Sequence, residues 1–299
     1  MATATPTDAA LDQVRAWLLD GPDPQPLFGE VLRRAFDEVL DGQRTGRYRI
    51  EDLSKTEKTY IGTKVEILLA DALAIERGAK LDFLIAGNEV DCKFSLAPFG
   101  AMIPIEAQGE ICLLVSGHDS TARFSAGLLR CVPELLRAPN RDGKRGVLAK
   151  ARSRISWLFE DAQIPENLLR NLPSESLEAI LSNTQSGQAR VDELFRLVHC
   201  RIIRREVTVT VARQQDGMKR VRDARKHLVA EGIVILGHQD DHPRIAAALG
   251  LPVPDKGEFV ATRVVPAMTG SATPAAAIGH VAWREANTDD PIVPGPAQY

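Results

Sequence analysis

The chain has 299 residues, 44% of them hydrophobic and 26% charged, with a formal charge of −3 at pH 7. That length predicts two domains with sizeable cores, and the balanced charge argues that any polyanion-binding face is local rather than chain-wide. Four scattered cysteines with no C-x-x-C pair argue against a disulfide framework or a zinc cluster, and no leader-like start or membrane-length apolar run is seen, which predicts a cytoplasmic protein.

Helical spacing of Val14, Trp17 and Leu18, then of Phe28, Val31, Leu32, Phe36 and Leu40, predicts helices on both sides of GPDPQP at 21–26. A basic, polar stretch follows, containing Arg44, Arg47, Arg49, Lys55, Lys58 and Lys64. These cations are candidates for contacts to phosphates or bases, with an ordinary charged surface as the competing reading. A helix is expected from about Thr63 to Arg77, stopped by Gly78.

LDFLIAGNEVDCKFS (81–95) then reads as a hairpin about a Gly87-Asn88 turn of type II′. In that register Leu84 faces Asp91 and Asp82 faces Lys93. Asp82, Asp91 and Lys93 then share one sheet face, and Phe83, Cys92 and Phe94 share the other. Glu66 lies beside the apolar stripe of the preceding helix, near the edge of the core. Carboxylates crowded in this way raise one another's pKa unless a cation joins them, and all-oxygen ligands suit Mg²⁺. The bland alternative is a surface hairpin with an Asp82–Lys93 ion pair, which would contribute less than ~1 kcal/mol. The bare Asp/Glu-x-Lys triplet decides nothing, because it recurs at Asp142-Gly143-Lys144 in a loop, read as a turn.

Two further strands are expected in GEICLLVSG and ARFSAGLL. The first domain is taken as 1–162, followed by a polar linker region at 163–188 and a second domain at 189–299 whose tail beyond about 267 has little order. An amphipathic helix opens the second domain; VTVTVA follows, readable as strand or helix, then a basic helix and the strand GIVILG. Nine Lys/Arg against three acids lie between Arg201 and Lys226. Lys219, Arg220, Arg222, Arg225 and Lys226 make the basic helix a candidate for the DNA major groove in a winged helix-turn-helix, against the alternative of a solvated charged face. His238 and His242 have metal-clip spacing but are read as loop because Pro243 follows.

LDFLIAGNEVDCKFS with Glu66 resembles the core of the PD-(D/E)xK nucleases. DGQRTGRYRIEDLSKTEKTYIGTKVEI, GQARVDELFRLVH, MKRV and EGIVILGHQDDHP resemble the NaeI-type type II restriction endonucleases, with similarity from about residue 35 to 266. The resemblance implies an α/β endonuclease domain joined to a C-terminal winged helix-turn-helix domain of the catabolite-activator type. It implies a two-site, effector-activated enzyme that cuts both strands of double-stranded DNA at a short, GC-rich palindrome, leaving 5′-phosphate ends. The family's catalytic positions fall on Glu66, Asp82, Asp91 and Lys93. Asp82 and Asp91 would bind Mg²⁺, with Glu66 ligating directly or through water, and Lys93 would orient the attacking water. A symmetric target implies a homodimer, and a second DNA copy would act as effector. The competing functions are a non-catalytic DNA-binding regulator, which has no use for the four clustered groups, and a nicking or strand-passing enzyme, for which no tyrosine stands in an evident site. An adenylating ligase is rejected, because Lys80-Leu81-Asp82 is followed by Phe83 and not by glycine.

Overall fold

The computed structural model describes residues 8–182, 184, 186–214, 216–268 and 274–299. The chain forms two compact units. The first comprises residues up to Leu40 with Arg49–Asn167, and the second comprises Asp41–Tyr48 with Leu168–Tyr299.

The chain opens with α1 (Ala9–Leu19), α2 (Pro24–Leu40) and the one-turn α3 (Gly42–Thr45), of which α3 belongs to the second unit. Helix α4 spans Lys55–Ala72, so it begins and ends earlier than the expected 63–77. The reason is a capping box in the stretch read as merely basic. Ser54 Oγ accepts from the Glu57 amide at 3.3 Å, and the Glu57 carboxylate accepts from the Ser54 amide at 2.8 Å. The helix stops where Ala74 takes a positive φ of 50° and the Ile75 amide returns to the Ala70 carbonyl.

Then come β1 (Glu76–Arg77), β2 (Phe83–Ile85), β3 (Asn88–Ser95), β4 (Met102–Ile103), β5 (Ile111–His118), β6 (Arg123–Arg130), β7 (Arg145–Gly146) and β8 (Ser156–Gln163). Six of them make a mixed sheet in the order β1-β2-β3-β5-β6-β8, in which only β3 and β5 run parallel. Val90 and Cys92 of β3, with Leu113 and Val115 of β5, pack with residues of α1, α2 and α4 in one core. Cys112 and Leu114 point to the opposite face and pack with Ile103, Ala107, Leu136, Val147, Ala151 and Ile155. The first core also encloses Arg33, only 1% exposed, which pairs with Asp37 at 2.8 Å and with Asp119; Asn167 donates to the same Asp119 at 3.1 Å.

The second unit continues with α5 (Ser174–Ile180), α6 (Gly187–Leu197), β9 (Ile202–Arg204), α7 (Arg205–Ala212), α8 (Gly217–Leu228), β10 (Ile233–Leu236), α9 (His242–Ala248), β11 (Glu258–Pro266), β12 (Ala275–Ile278) and β13 (Val281–Glu285). VTVTVA is therefore helical, its apolar side turned into a core of Val191, Leu194, Phe195, Val211, Val221 and Leu228. The stretch 163–188, expected as linker, contributes Leu168, Leu169 and Ile180 to that core. Two described strands beyond residue 267 correct the expectation of little order there. β13 pairs with β11 and β12, and Tyr299 Oη accepts from the Ile235 amide at 2.9 Å. His242 is buried and its ring bonds to the Tyr299 carbonyl at 2.9 Å, so it is a packing residue.

Candidate active site

The hairpin carrying the candidate site turns at Ala86-Gly87, not at Gly87-Asn88. Both turn residues have positive φ (48° and 75°), as a type I′ turn requires, and Ile85 pairs with Asn88. The Asn88 side chain closes the turn by donating to the Ala86 carbonyl at 3.0 Å, which makes it a flanking residue rather than a turn residue. Phe83 pairs with Val90, two residues away from the expected register. A shift of two preserves the side-chain alternation, so every residue keeps its face.

Asp82, just before β2, therefore still meets Asp91 and Lys93. Asp82 Oδ2 accepts from the Cys92 amide at 2.8 Å, which fixes the carboxylate to the neighbouring strand. The Lys93 ammonium lies 2.9 Å from Asp91 Oδ1, 3.2 Å from Asp82 Oδ2 and 2.9 Å from the Cys92 carbonyl, so all three of its protons have acceptors. The Asp91 side chain is only 4% exposed, against 23% and 25% for Asp82 and Lys93. A merely superficial ion pair does not bury one carboxylate in this way.

Burial pushes the Asp91 carboxyl up to about 6, with Asp82 adding repulsion and Lys93 opposing both. Burial works against the Lys93 ammonium, yet its bonds to Asp91 and Asp82 hold its pKa above the usual lysine value. On α4, burial and then the Asp82 charge raise the Glu66 carboxyl, while Lys93 and Arg77 lower it. Glu66 therefore shares the field of the site, but among the described residues no three acids, histidines or cysteines are grouped as a metal-ligand set. Asp82, Asp91 and Lys93 touch one another directly, and Glu66 joins them through the charges of Asp82 and Lys93.

Two neighbours escaped the sequence reading. Cys112 stands beside Asp91 in the parallel β3–β5 register, and its thiol lies 3.9 Å from Asp91 Oδ2. Only the strand pairing, which no local pattern specifies, brings them together. Arg77, whose charge bears on Glu66, is the last residue of β1.

The remaining candidates divide between the units. Lys55, Lys58 and Lys64 lie along α4; Lys55 is exposed, Lys58 donates to the Glu51 carbonyl at 3.2 Å and Lys64 meets Glu38 at 2.7 Å. Arg44 and Arg47 fall instead in the 41–48 segment of the second unit, where Gly42 lies so close to Thr210 of α7 that a side chain there would collide. On α8, Lys219, Arg222 and Lys226 are exposed, whereas Val221, Ala224 and Leu228 are buried. Arg220 donates to Gln214 at 2.9 Å, and half-buried Arg225 donates to the Ile235 carbonyl at 2.8 Å.

A buried aspartate, a second aspartate anchored to its strand and a lysine shared between them form one compact charged cluster, and sequence comparison fixes the class: residues 14–294 match the family described as Restriction endonuclease NaeI. The chain is 46% identical over 299 aligned positions to the Type II restriction enzyme NaeI of Lentzea aerocolonigenes, covering 97% of this chain and 94% of that protein. The chain belongs to the NaeI restriction endonuclease family and is a site-specific deoxyribonuclease. No helix among the described residues is long and apolar enough to cross a membrane.

Proposed function

We propose that this restriction endonuclease cuts both strands of duplex DNA in a Mg²⁺-dependent reaction centred on Asp82, Asp91 and Lys93. The observation that carries the reading is the Lys93 ammonium bridging the two aspartates, which supports the idea that both carboxylates could share one cation. Two hard oxygen donors suit Mg²⁺, which is commonly held by one or two protein carboxylates and completes its shell with water and substrate phosphate. Bound there, the ion would neutralise charge on the scissile phosphate and make water more acidic. Glu66 would act through water at the rim. Lys93, held protonated, would orient the attacking water and stabilise the charge that builds on the phosphate oxygens. In-line attack would leave a 5′-phosphate and a 3′-hydroxyl.

In the second unit, α7 and α8, four residues apart in sequence, followed by β10 and β11, support a winged helix-turn-helix assignment. Lys219, Arg222 and Lys226 on the solvent side of α8 would then face the major groove. This unit would bind the second, activating DNA copy. Cleavage of a short palindrome, GC-rich by resemblance, calls for a two-fold homodimer. A cytoplasmic location accords with a DNA substrate.

The test is digestion of a supercoiled plasmid of known sequence. Discrete fragments are expected with Mg²⁺ and none with EDTA. Asp91→Ala and Lys93→Ala should bind DNA but not cut it. Cutting in EDTA, or normal cutting by Lys93→Ala, would sink the mechanism.

A further inference from the structure

The sheet face that bears Asp91 and Lys93 also carries a lobe whose charge is out of keeping with the rest of the chain. Asp91 stands beside Cys112 and Lys93 beside Leu114 in the parallel register, so these four side chains share one face. Cys112 and Leu114 pack against Ile103, Ala107, Leu136, Val147, Ala151 and Ile155. The segments holding those residues are thereby fixed to the face of the candidate active site. Within residues 137–154 there are seven Lys/Arg and one acid, Asp142, in a chain of net charge −3.

Two of the seven have other work. Arg145 donates to the carbonyls of Arg137, Pro133 and Leu136, and Arg141 lies 3.6 Å from Asp142. The other five, Arg137, Lys144, Lys150, Arg152 and Arg154, are exposed and form no ion pair among the described residues. Other exposed cations of this unit are either paired, as Arg34 with Glu38 and Lys80 with Glu110, or scattered singly, as Lys55 and Arg77; here five fall within residues 137–154. A solvated face built for solubility mixes both signs. Residues 137–154 are weighted seven to one toward cations, with exposed Glu106 and Glu134 in the adjoining segments, and cations at that density repel one another unless an anion lies across them.

The lobe is also pre-shaped. β4 and β7 pair across it, and Asn140 Oδ1 accepts from the amides of Asp142 and Lys144, both at 3.0 Å. Gly143 turns with φ of 76° so closely over Ile105 that a side chain there would collide with it. The Arg152 guanidinium sits 4.1 Å from the centre of the Phe99 ring, which in turn packs edge-on against Trp157. Cations held on a rigid frame lose little freedom when they meet a phosphate.

We propose that this lobe is a phosphate-backbone clamp, which holds the substrate duplex beside the cut through Lys144, Lys150, Arg152 and Arg154. The inference rests on the nuclease reading above and adds to it a set of DNA-contacting residues, of which the sequence reading touched only Lys144, as part of a turn.

The test uses the full chain in EDTA, so that binding is measured without cutting, with linear plasmid DNA. Bound duplex should shield the Lys144 and Lys150 amines from acetylation, read by mass spectrometry. The quadruple variant K144A/K150A/R152A/R154A should bind more than tenfold more weakly at about 0.1 M salt. Its plot of log affinity against log salt should be shallower by roughly two to three and a half, about 0.9 per lost phosphate contact. Equal labelling with and without DNA, or an unchanged salt slope in a variant that melts normally, overturns the clamp. The labelling arm needs only the wild-type fold. If the wild type cuts the plasmid with Mg²⁺ but its lobe lysines stay fully reactive, the clamp alone fails. If the wild type does not cut, the nuclease mechanism fails whatever the lysines report.

Discussion

Asp82 is tied to the backbone of the strand beside it: its Oδ2 accepts from the amide of Cys92 at 2.8 Å. That bond makes the carboxylate part of the hairpin's own register, because Cys92 lies between the two other groups of the site. Asp82→Ala should therefore lose cleavage by about 10²- to 10³-fold or more, since it would remove the proposed ligand and an anchor together. Asp82→Asn can keep an acceptor for the amide while losing the charge. It should melt close to wild type yet cut as poorly as the alanine variant. Thermal melts beside plasmid digestion separate the two roles; an asparagine variant that cuts well would remove Asp82 from the chemistry.

Asp91 predicts an unusual pH dependence for the metal-free protein. Its folded pKa of about 6 lies above the ordinary aspartate value of 3.8, so between those values the folded state binds more protons than the unfolded chain. Stability contributed by this group is then fully present below about pH 4 and lost as pH rises through about 6. In Asp91→Asn that contribution should vanish, leaving a flatter stability profile between pH 4 and 6.5 in denaturant titrations run in EDTA. Parallel profiles for the two proteins would show that burial does not strain this carboxyl.

Glu66 feels Asp82, Lys93 and Arg77 electrostatically, whereas Asp82, Asp91 and Lys93 are in direct contact. Its replacement by alanine should lower the cleavage rate by about 10- to 100-fold, the range for residues that act on a site through water or a neighbour. The same change at Asp91 or Lys93 should cost more. Single-turnover cleavage at several Mg²⁺ concentrations orders the four, and a Glu66→Ala loss equal to that of Asp91→Ala would put Glu66 on a par with Asp91 in the chemistry.

These groups were legible in the sequence for a specific reason. Side-chain alternation along a strand depends only on parity, so a register wrong by two still put Asp82, Asp91 and Lys93 on one face. What a single stretch does not encode was missed. The approach of Cys112 to Asp91 depends on a parallel pairing between strands separated by a lobe. The early start of α4 was hidden because Ser54 and Glu57 look merely polar until their reciprocal bonds form. VTVTVA, whose β-branched residues favour strand, folds as a helix because packing against α6 and α8 outweighs local preference. The division of Arg44 and Arg47 from Lys55, Lys58 and Lys64 is a matter of tertiary structure that charge spacing does not report.

Arg33 should be a folding residue and nothing more. Its guanidinium is buried, pairs with Asp37 and Asp119, and is joined to Asn167 through the shared Asp119. Arg33→Met strands a buried carboxylate and should lower stability by about 3–5 kcal/mol. The double variant with Asp119→Asn should recover part of that loss, because no uncompensated charge then remains at that position. Denaturant midpoints measure both effects, and a single variant as stable as wild type would show that the network is not under strain when opened.

The basic helix α8 makes the last prediction, because its five cations do not face one environment. Lys219, Arg222 and Lys226 are exposed, although Lys226 has a loose partner in Asp223 at 3.8 Å. Each alanine replacement among the three should leave the fold intact, weaken DNA binding and lower the salt slope by up to about 0.9 where the side chain meets a phosphate. A residue that reads a base would instead change discrimination between sequences by about 1–3 kcal/mol. Arg225 points another way: its Nε donates to the Ile235 carbonyl at 2.8 Å, and burial lowers its pKa. Arg225→Ala should cost about 1–3 kcal/mol of stability by leaving that carbonyl short of a donor. Melting curves and salt titrations on the four single variants test this division. A stable Arg225→Ala with a lowered salt slope would move that residue to the DNA-facing group.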